Sequence, residues 1–279
     1  MPELPDVLRF KSHLDRTALG RRIASVKVND PLVVGRLGRR SLAEELPGRT
    51  LRRSRSHGKY LFARADPPGA RKPDRSIWVV FHFGMTGAFA FLRRGEAEPR
   101  HSRVLFRFRD GSALVFVCPR RFGRVALVDR PEDLILRKGL GPDPLAPGFG
   151  ADELRRALSG RKGSIKAVLL DQTAIAGLGN LYADEALFQA GIHPRVPAAS
   201  LRVSEWKRLG RVLDRALRTA VGRGVEVSGF PRGWLLPRRR QGETCPRCGA
   251  SLARTVVGGR TTYFCPQHQK WGMGRSAIG

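Results

Sequence analysis

A change of hydrophobic period part-way along the chain limits the possible architectures more than any other feature. From Ile23 to about Asp129 the apolar residues fall in short segments rich in Val, Phe and Ile: SIWVVFHFG, GAFAFLRR, SRVLFRF and ALVFVCP. Segments of this kind, bounded by turn residues and with no intervening helical pattern, predict strands without helices between them. Asp110-Gly111 adds a two-residue hairpin signal. Beyond residue 150 the period becomes helical. DELRRALSG, SIKAVLLDQ, NLYADEALFQAG and SEWKRLGRVLDRALRTAVG each carry an apolar stripe. In the last of these, Trp206, Leu209, Leu213, Leu217 and Ala220 share one face. The Pro- and Gly-rich stretch LGPDPLAPGFG (140–150) between the two regions predicts a linker. A helix over 3–19, with Val7, Phe10, Leu14 and Ala18 on one stripe and Gly20 as its stop, precedes the strands. Residues 222–241 lose all period and predict a loop. The class is therefore α+β and multidomain, with an antiparallel β-sandwich or barrel first and a helical part after it.

Charge narrows the function. Fifty-two Lys+Arg stand against 24 Asp+Glu, a formal charge of +28, on a chain that is 41% hydrophobic. That apolar content supports a sizeable core and excludes a wholly disordered basic tail. A polyanion is the natural partner for such a charge. Only nine of the 52 cations are lysines, and an arginine bias also arises in GC-rich genomes. Charge alone thus leaves nucleic acid, the ribosome, polyphosphate and a membrane surface open. No apolar run reaches the roughly 18 residues of a membrane-spanning helix. The opening MPELPDVLRFK has carboxylates and no apolar core, so it predicts no secretory leader. The expected protein is soluble and cytoplasmic.

Four cysteines are too few for a disulfide-built fold. Their spacing carries more. Cys245-x2-Cys248, sixteen residues, then Cys265-x2-His268 is the pattern of a zinc ribbon. Three thiolates and an imidazole suit tetrahedral zinc, with unmetallated thiols or a disulfide as the alternative. Four protein ligands close the shell, so the metal would be structural. Gly249 allows the knuckle turn and Gly258-Gly259 supplies the hairpin tip. Cys118, far away in a strand, reads as a small buried hydrophobe.

The first residues carry a different chemistry. Removal of Met1 would leave Pro2 as a secondary α-amine, with a pKa of about 7.7–8.0, nucleophilic near neutral pH. Such an amine condenses with a sugar carbon to give an iminium, an electron sink that invites elimination. Glu3 follows directly and could shuttle the protons this requires.

Several segments then occur in a recognisable order. MPELPDV, HGKYLF (57–62), FHFGMTG (81–87), CPRRFGRV (118–125), DQTAIAGLGNLYADEALFQAGIHP (171–194) and the terminal ribbon resemble the formamidopyrimidine-DNA glycosylase / endonuclease VIII family over about residues 1–270. The resemblance implies an N-terminal β-sandwich with its leading helix (1–135), a linker (136–150), a helix–two-turn–helix DNA-binding domain (151–225), a loop (226–243) and a zinc ribbon (244–272). It implies a monomeric base-excision-repair enzyme at the bacterial nucleoid, a glycosylase with AP-lyase activity. Its partner would be double-stranded DNA with damaged bases or abasic sites, its one cofactor a structural zinc, with no nucleotide or flavin and no membrane.

By the same resemblance Pro2 is the nucleophile at C1′ and Glu3 the general acid/base. Asp6 stands where the family usually has Glu, one methylene shorter, as a sugar contact. Lys59, Asn180 and Arg260 match contacts to the phosphates around the lesion, Asn180 by its amide together with the exposed backbone N–H groups of the helix it begins. Lys166 is placed among the DNA contacts. Met85, Arg120 and Phe122 match the triad that fills the void left by a flipped nucleotide, with Phe122 as wedge and Arg120 on the orphan base. Cys245, Cys248, Cys265 and His268 match the zinc ligands, with His268 in place of a fourth cysteine. Cys118 replaces an Asp usual before PRRFG. The intact Arg120/Phe122 pair favours oxidised purines, 8-oxoguanine and formamidopyrimidines. The compact basic loop 222–241 leaves oxidised pyrimidines or bulkier lesions, or a non-catalytic DNA-binding homologue, as alternatives.

Overall fold

The computed structural model describes residues 1–34, 40–69, 76–224 and 229–271. The chain divides into two compact units. One comprises Met1–Pro2 and Asp6–Gly139, the other Glu3–Pro5 and Leu140–Gly279.

In the first unit, helix α1 (Leu4–Thr17) leads into eight strands: β1 (Ile23–Val28), β2 (Thr50–His57), β3 (Tyr60–Asp66), β4 (Ile77–His82), β5 (Ala88–Leu92), β6 (Ser102–Phe108), β7 (Ala113–Val117) and β8 (Arg124–Val128). They form two antiparallel four-stranded sheets, in the orders β1-β6-β7-β5 and β2-β3-β4-β8. The predicted sandwich is present. Its core gathers Val7, Phe10, Leu14 and Ala18 of α1 with Phe81, Phe83, Phe106 and Phe116 from both sheets. Phe89 meets Phe81 and Phe83 edge to face at 4.9 and 5.1 Å, the arrangement aromatic quadrupoles favour.

Two expectations need correction here. The segment expected to lack helices holds a short one, α2 (Leu42–Glu45), capped by Ser41, whose hydroxyl accepts the Glu44 N–H. A further helix, α3 (Pro131–Arg137), sets Leu134 against Phe62 and Val80 on the outer face of the second sheet. Being covered on both faces, β4 needs no polar side, which is why SIWVVFHFG reads as a continuous apolar run. The Asp110-Gly111 hairpin also proves longer than two residues. Four residues separate β6 from β7, with Gly111 at φ 84°.

In the second unit, α4 (Ala151–Leu158), α5 (Ile165–Leu170), α6 (Asn180–Ala190) and α7 (Val203–Gly222) precede a two-stranded ribbon, β9 (Ala253–Val257) and β10 (Arg260–Phe264). The predicted stripe of α7 is buried throughout. Gly210 of α7 lies so close to Ala151 that a Cβ would overlap it. Gly258 and Gly259 form the hairpin tip with φ 56° and 68°.

Three expectations change in this unit. The predicted linker begins later than 136, because Leu136 and Arg137 belong to α3 and the first unit runs to Gly139. Its remainder is no free tether. Gly141 donates its N–H to Gln172, Pro142 accepts the Ala176 N–H, and Gly141 approaches the Ala174 backbone too closely for any side chain. Helix α6 has no stripe, since every residue from Tyr182 to Phe188 is buried, Asp184 and Glu185 included. The predicted loop 222–241 starts on the last residue of α7. Residues 225–228 of that loop and residue 272 of the ribbon span lie outside the described residues. From Gly229 onward the segment is packed rather than solvated: Phe230, Trp234, Leu235 and Leu236 are buried. No helix among the described residues is long and apolar enough to cross a membrane.

Candidate functional site

Glu3 is 2% exposed, and its carboxylate is the side-chain cap of α6. The N–H groups of Gly179, Leu181 and Tyr182 donate to it at 2.9, 2.8 and 3.3 Å. A helix leaves its first N–H groups without internal partners and carries positive potential there, so a carboxylate fits. The fit demands glycine at 179, where any Cβ would collide with the Glu3 side chain. The adjoining Leu4 N–H donates to Gly177 O at 3.0 Å. Both carboxylate oxygens accept, so a glutamine here must turn its amide –NH2 against a backbone N–H. Pro2, directly before Glu3, is half-buried, and Met1 is exposed. Asp6 lies in the first turn of α1, where the helix dipole favours an acid.

This arrangement corrects the expectation for α6. Its N–H groups were assigned to a phosphate with Asn180, yet three of the first four donors go to Glu3. Asn180 does open the helix, and its Nδ2 donates to Thr261 O at 2.9 Å. That carbonyl collects two further donors, Lys166 Nζ at 3.3 Å and Arg239 Nη2 at 3.2 Å. Three segments thus grip the ribbon strand at the residue after Arg260, which is itself exposed at the start of β10.

Lys166 needs a plainer correction. It is 0% exposed, its Nζ donating to Thr262 Oγ1 and lying 2.6 Å from Asp184 Oδ1 as an ion pair out of line for a hydrogen bond. A side chain so enclosed does not reach DNA; it fastens α5 to α6 and the ribbon. Arg239 completes the cluster, 2.8 Å from Asp184 Oδ2 and with its guanidinium over the Tyr263 ring. Burial pushes the Asp184 carboxyl up and the Lys166 ammonium down. The sequence did hold a signal for this cluster: two acids inside an otherwise apolar helix need buried partners.

The metal ligands converge as predicted. Cys245, Cys248, Cys265 and His268 bring their donor atoms within 4.8 Å of one another. Cys248 Sγ lies 3.4 Å from Cys265 Sγ, and Cys245 Sγ lies 3.7 Å from His268 Nδ1. Zinc bonds of about 2.0–2.3 Å in a tetrahedron require edges of about 3.4–3.8 Å. His268 Nε2 is 3.3 Å from Phe188 O, a contact that directs the Nδ1 lone pair to the metal. One structural zinc fits this shell.

In the first unit, Met85 follows β4, and Arg120 and Phe122 sit between β7 and β8. Met85 and Phe122 are 41% and 51% exposed, which removes the ordinary explanation that they are core. The two loops are joined. Arg120 N–H donates to Thr86 Oγ1 at 3.3 Å, and Gly84 lies against the Phe122 backbone with no room for a Cβ. The Arg120 guanidinium lies over the Phe122 ring, 5.4 Å from its centroid. Cys118 is buried as expected, and it has a role that its sequence position did not suggest: its Sγ accepts the Gly123 N–H at 3.3 Å. Lys59 stands at the tip joining β2 to β3. His82 accepts the Gly84 N–H on Nδ1, and burial, with Lys59, Arg124 and Lys138 nearby, lowers its pKa to about 4.

Comparison with known proteins agrees with this arrangement. The formamidopyrimidine-DNA glycosylase N-terminal domain matches residues 1–125, the H2TH domain of the same enzyme 140–230, and the zinc finger found in FPG and IleRS 242–267. A formamidopyrimidine-DNA glycosylase of Streptococcus thermophilus is 32% identical, over 97% of this chain and 100% of its own. The chain belongs to the formamidopyrimidine-DNA glycosylase family. Among solved members, the Lactococcus lactis enzyme bound to DNA containing an AP site superposes with a TM-score of 0.84 at 29% identity, covering 96% of this chain and 99% of the other. A MutM complex with DNA containing carbocyclic 8-oxo-G gives 0.84 at 29%, covering 96% and 100%. The family's three parts therefore run in order along nearly the whole chain, and the sandwich, the helical domain and the zinc ribbon expected from the sequence are all present.

Proposed function

We propose that this protein removes oxidised purines, 8-oxoguanine and formamidopyrimidines among them, from double-stranded DNA and cuts the strand at the resulting abasic site by β,δ-elimination. The observation that carries the reading is Glu3, a buried carboxylate fixed by three backbone N–H groups and joined directly to Pro2. With Met1 removed, the Pro2 nitrogen attacks C1′ of the damaged nucleotide. The base leaves C1′ with the glycosidic electron pair and takes up a proton. The Pro2 nitrogen gives up its own proton, the C1′–O4′ bond opens with O4′ protonated by Glu3, and the Pro2 lone pair forms the C1′ iminium. Loss of a C2′ proton then expels the 3′ phosphate, a second elimination expels the 5′ phosphate, and water releases Pro2. Glu3 exchanges protons with the sugar through these steps, and Asp6 contacts it. Zinc takes no part in the chemistry, because its shell is closed.

Flipping the nucleotide out of the duplex costs a few kcal/mol. Met85 and Phe122, large apolar side chains held in solvent, recover part of that on entering the vacated stack, while Arg120 bonds the orphan base. Lys59, Asn180 and Arg260 hold the flanking phosphates. The charge of +28 suits a monomer that works on DNA in the cytoplasm, at the nucleoid. The lesion class follows from the relatives, one of which is solved with 8-oxo-G DNA.

Borohydride reduction in the presence of abasic-site DNA tests the mechanism. It should trap one covalent adduct, mapped to the N-terminal peptide. An adduct on Lys59, or none, overturns the assignment of Pro2. Repeating the trap on duplexes carrying oxidised purines and oxidised pyrimidines ranks the substrates, and preference for the pyrimidines overturns the lesion class.

A further inference from the structure

The connection between β7 and β8 is held in an unusual way. Among the described residues, His101 and Arg121 are the two non-glycine residues with left-handed backbone angles, φ 64° and 58°. Both are tied to Cys118, whose N–H donates to His101 O at 3.1 Å and whose carbonyl accepts the Arg121 N–H at 3.3 Å. A residue with a Cβ stays in this region only where its surroundings over-determine it. Here those surroundings converge on one carboxylate. Asp30 Oδ2 lies 2.7 Å from Arg121 Nε and 3.3 Å from Arg103 Nη1, both ion pairs out of line for hydrogen bonds. Arg103 in turn donates to the carbonyls of Cys118 and Pro119 at 2.9 and 3.2 Å. Asp30 cannot drift with the loop. Its side chain is buried, and its Oδ1 accepts the Leu32 N–H at 3.1 Å, capping the 3-10 turn Pro31–Val33.

We propose that Asp30, acting through Arg103 and Arg121, is the device that sets opposite-base discrimination. The reasoning starts from chain geometry. In an extended segment side chains 120 and 122 would share one face and 121 would take the other. The left-handed residue at 121 breaks that alternation, so a partner must fix where Arg121 points. Asp30, 2.7 Å from Arg121 Nε, is that partner. Arg120 is then free to lie over the Phe122 ring. One carboxylate thus removes a neighbouring cation from the reading pair and fixes the turn that aims it. All three are positioning residues, and none contacts DNA in this role.

The inference rests on the proposed roles of Arg120 and Phe122, so the experiment separates the two ideas. Binding is measured on duplexes that differ only in the base opposite a tetrahydrofuran abasic analogue, at several salt concentrations. The proteins are wild type, Arg120→Ala, Asp30→Asn and Arg121→Gly. Asp30→Asn keeps an oxygen for Leu32, and Arg121→Gly accepts the left-handed angle while cutting the tether at a largely exposed side chain. Both should lower the affinity ratio between favoured and disfavoured opposite bases by roughly fivefold or more, the low end for one bidentate base contact. The salt slope, set by phosphate contacts, should stay put. If Arg120→Ala collapses discrimination while both tether variants keep it, or if they weaken all duplexes alike, the positioning role is wrong and the reading of Arg120 survives. If Arg120→Ala itself keeps discrimination, that reading fails and the inference goes with it. Should Asp30→Asn not fold, Arg121→Gly alone decides.

Discussion

The two units hold their proposed DNA contacts by Arg–Asp clusters that differ in one partner, an exposed arginine in the first and a wholly buried lysine in the second. In the first, Arg121 reaches Asp30 with its own side chain 56% exposed. In the second, Lys166 and Asp184 are both 0% exposed, with Arg239 at 15%. Water screens the Arg121 end of the first pair, which should contribute about 0–1 kcal/mol, although Asp30 and Arg103 are only 6% and 13% exposed. The second cluster has no such screening, and losing one partner strands a charge in the interior. The difference separates two tasks. In the proposed role the first pair aims a loop that enters a duplex, and its loss should be felt in recognition before stability. The second pins Glu3's helix, Asn180 and the ribbon strand together, and its loss should be felt in stability first.

The largest expected effect lies in the second unit. The ribbon's apolar cluster is Phe188, Leu235, Leu252 and two of the zinc ligands themselves, Cys245 and Cys265. So small a core cannot hold a hairpin without its metal. Structural zinc in isolated fingers contributes roughly 10–16 kcal/mol of apparent binding energy. Stripping the metal with a strong chelator should therefore unfold the ribbon and lower the melting of the helical unit, reversibly on adding zinc. The sandwich should melt as before, as calorimetry or hydrogen exchange resolved by segment would show. Equal loss of protection in β3 and β4 would mean the two units do not respond separately.

Next in size is the buried cluster. Lys166→Met should destabilise by about 3–5 kcal/mol, since Asp184 is left with Arg239 alone. Lys166→Met with Asp184→Leu should recover most of that, because an apolar pair needs no compensation. Arg121→Gly should fall within about 1 kcal/mol of wild type. Denaturant midpoints for the four proteins check all three statements. A double variant no more stable than Lys166→Met would show that the cluster is worth more than its burial costs.

How much of this was legible beforehand follows the same divide. Features of local pattern came through: the α1 stripe, the strands, the α7 face, the Cys/His spacing and the hairpin at Gly258-Gly259. PRRFG and GMTG, being contiguous motifs, could be located in the sequence, and the structure leaves Met85 and Phe122 exposed. What escaped depends on distant partners. Nothing local to Lys166 shows that Asp184 and Thr262 will enclose it, so it was grouped with the DNA contacts. Asn180 was expected to offer α6's N–H groups to phosphate, although Glu3, 177 residues earlier, occupies them. Loop 222–241 was read only as a loop because it lacks period, yet irregular backbone packs well when Glu185 accepts the Leu236 N–H and Arg239 meets Asp184. Periodicity reports only on regular elements.

The smallest effect is also the most direct comparison of the units, because one buried titrating group in each should give opposite pH responses. His82, in the sandwich, has its pKa lowered from 6.5 to about 4, first by burial and then by Lys59, Arg124 and Lys138. The unfolded chain takes up that proton first, so His82 supports folding above about pH 6.5, and the support is lost as pH falls towards 4. Glu185, in α6, has its pKa raised from 4.5 to about 7 by burial, although Gln189 Nε2 and the Leu236 N–H donate to it. There the unfolded chain gives up its proton first. Its support is complete below about pH 4.5 and disappears as pH rises to about 7. Each separation corresponds to about 3 kcal/mol at most. Glu185, fully buried, should come nearer that limit than His82, which keeps some contact with water. The measurement is unfolding free energy from pH 4 to 8 for wild type, His82→Asn and Glu185→Gln. His82→Asn, whose Oδ1 can still accept the Gly84 N–H, should flatten only the acid limb. Glu185→Gln should remove a loss between about pH 4.5 and 7 and stabilise the protein at pH 8. If Glu185→Gln is instead destabilising at pH 8 by as much as at pH 4.5, the Glu185 carboxylate is held charged by its donors, and burial does not keep it protonated near neutrality.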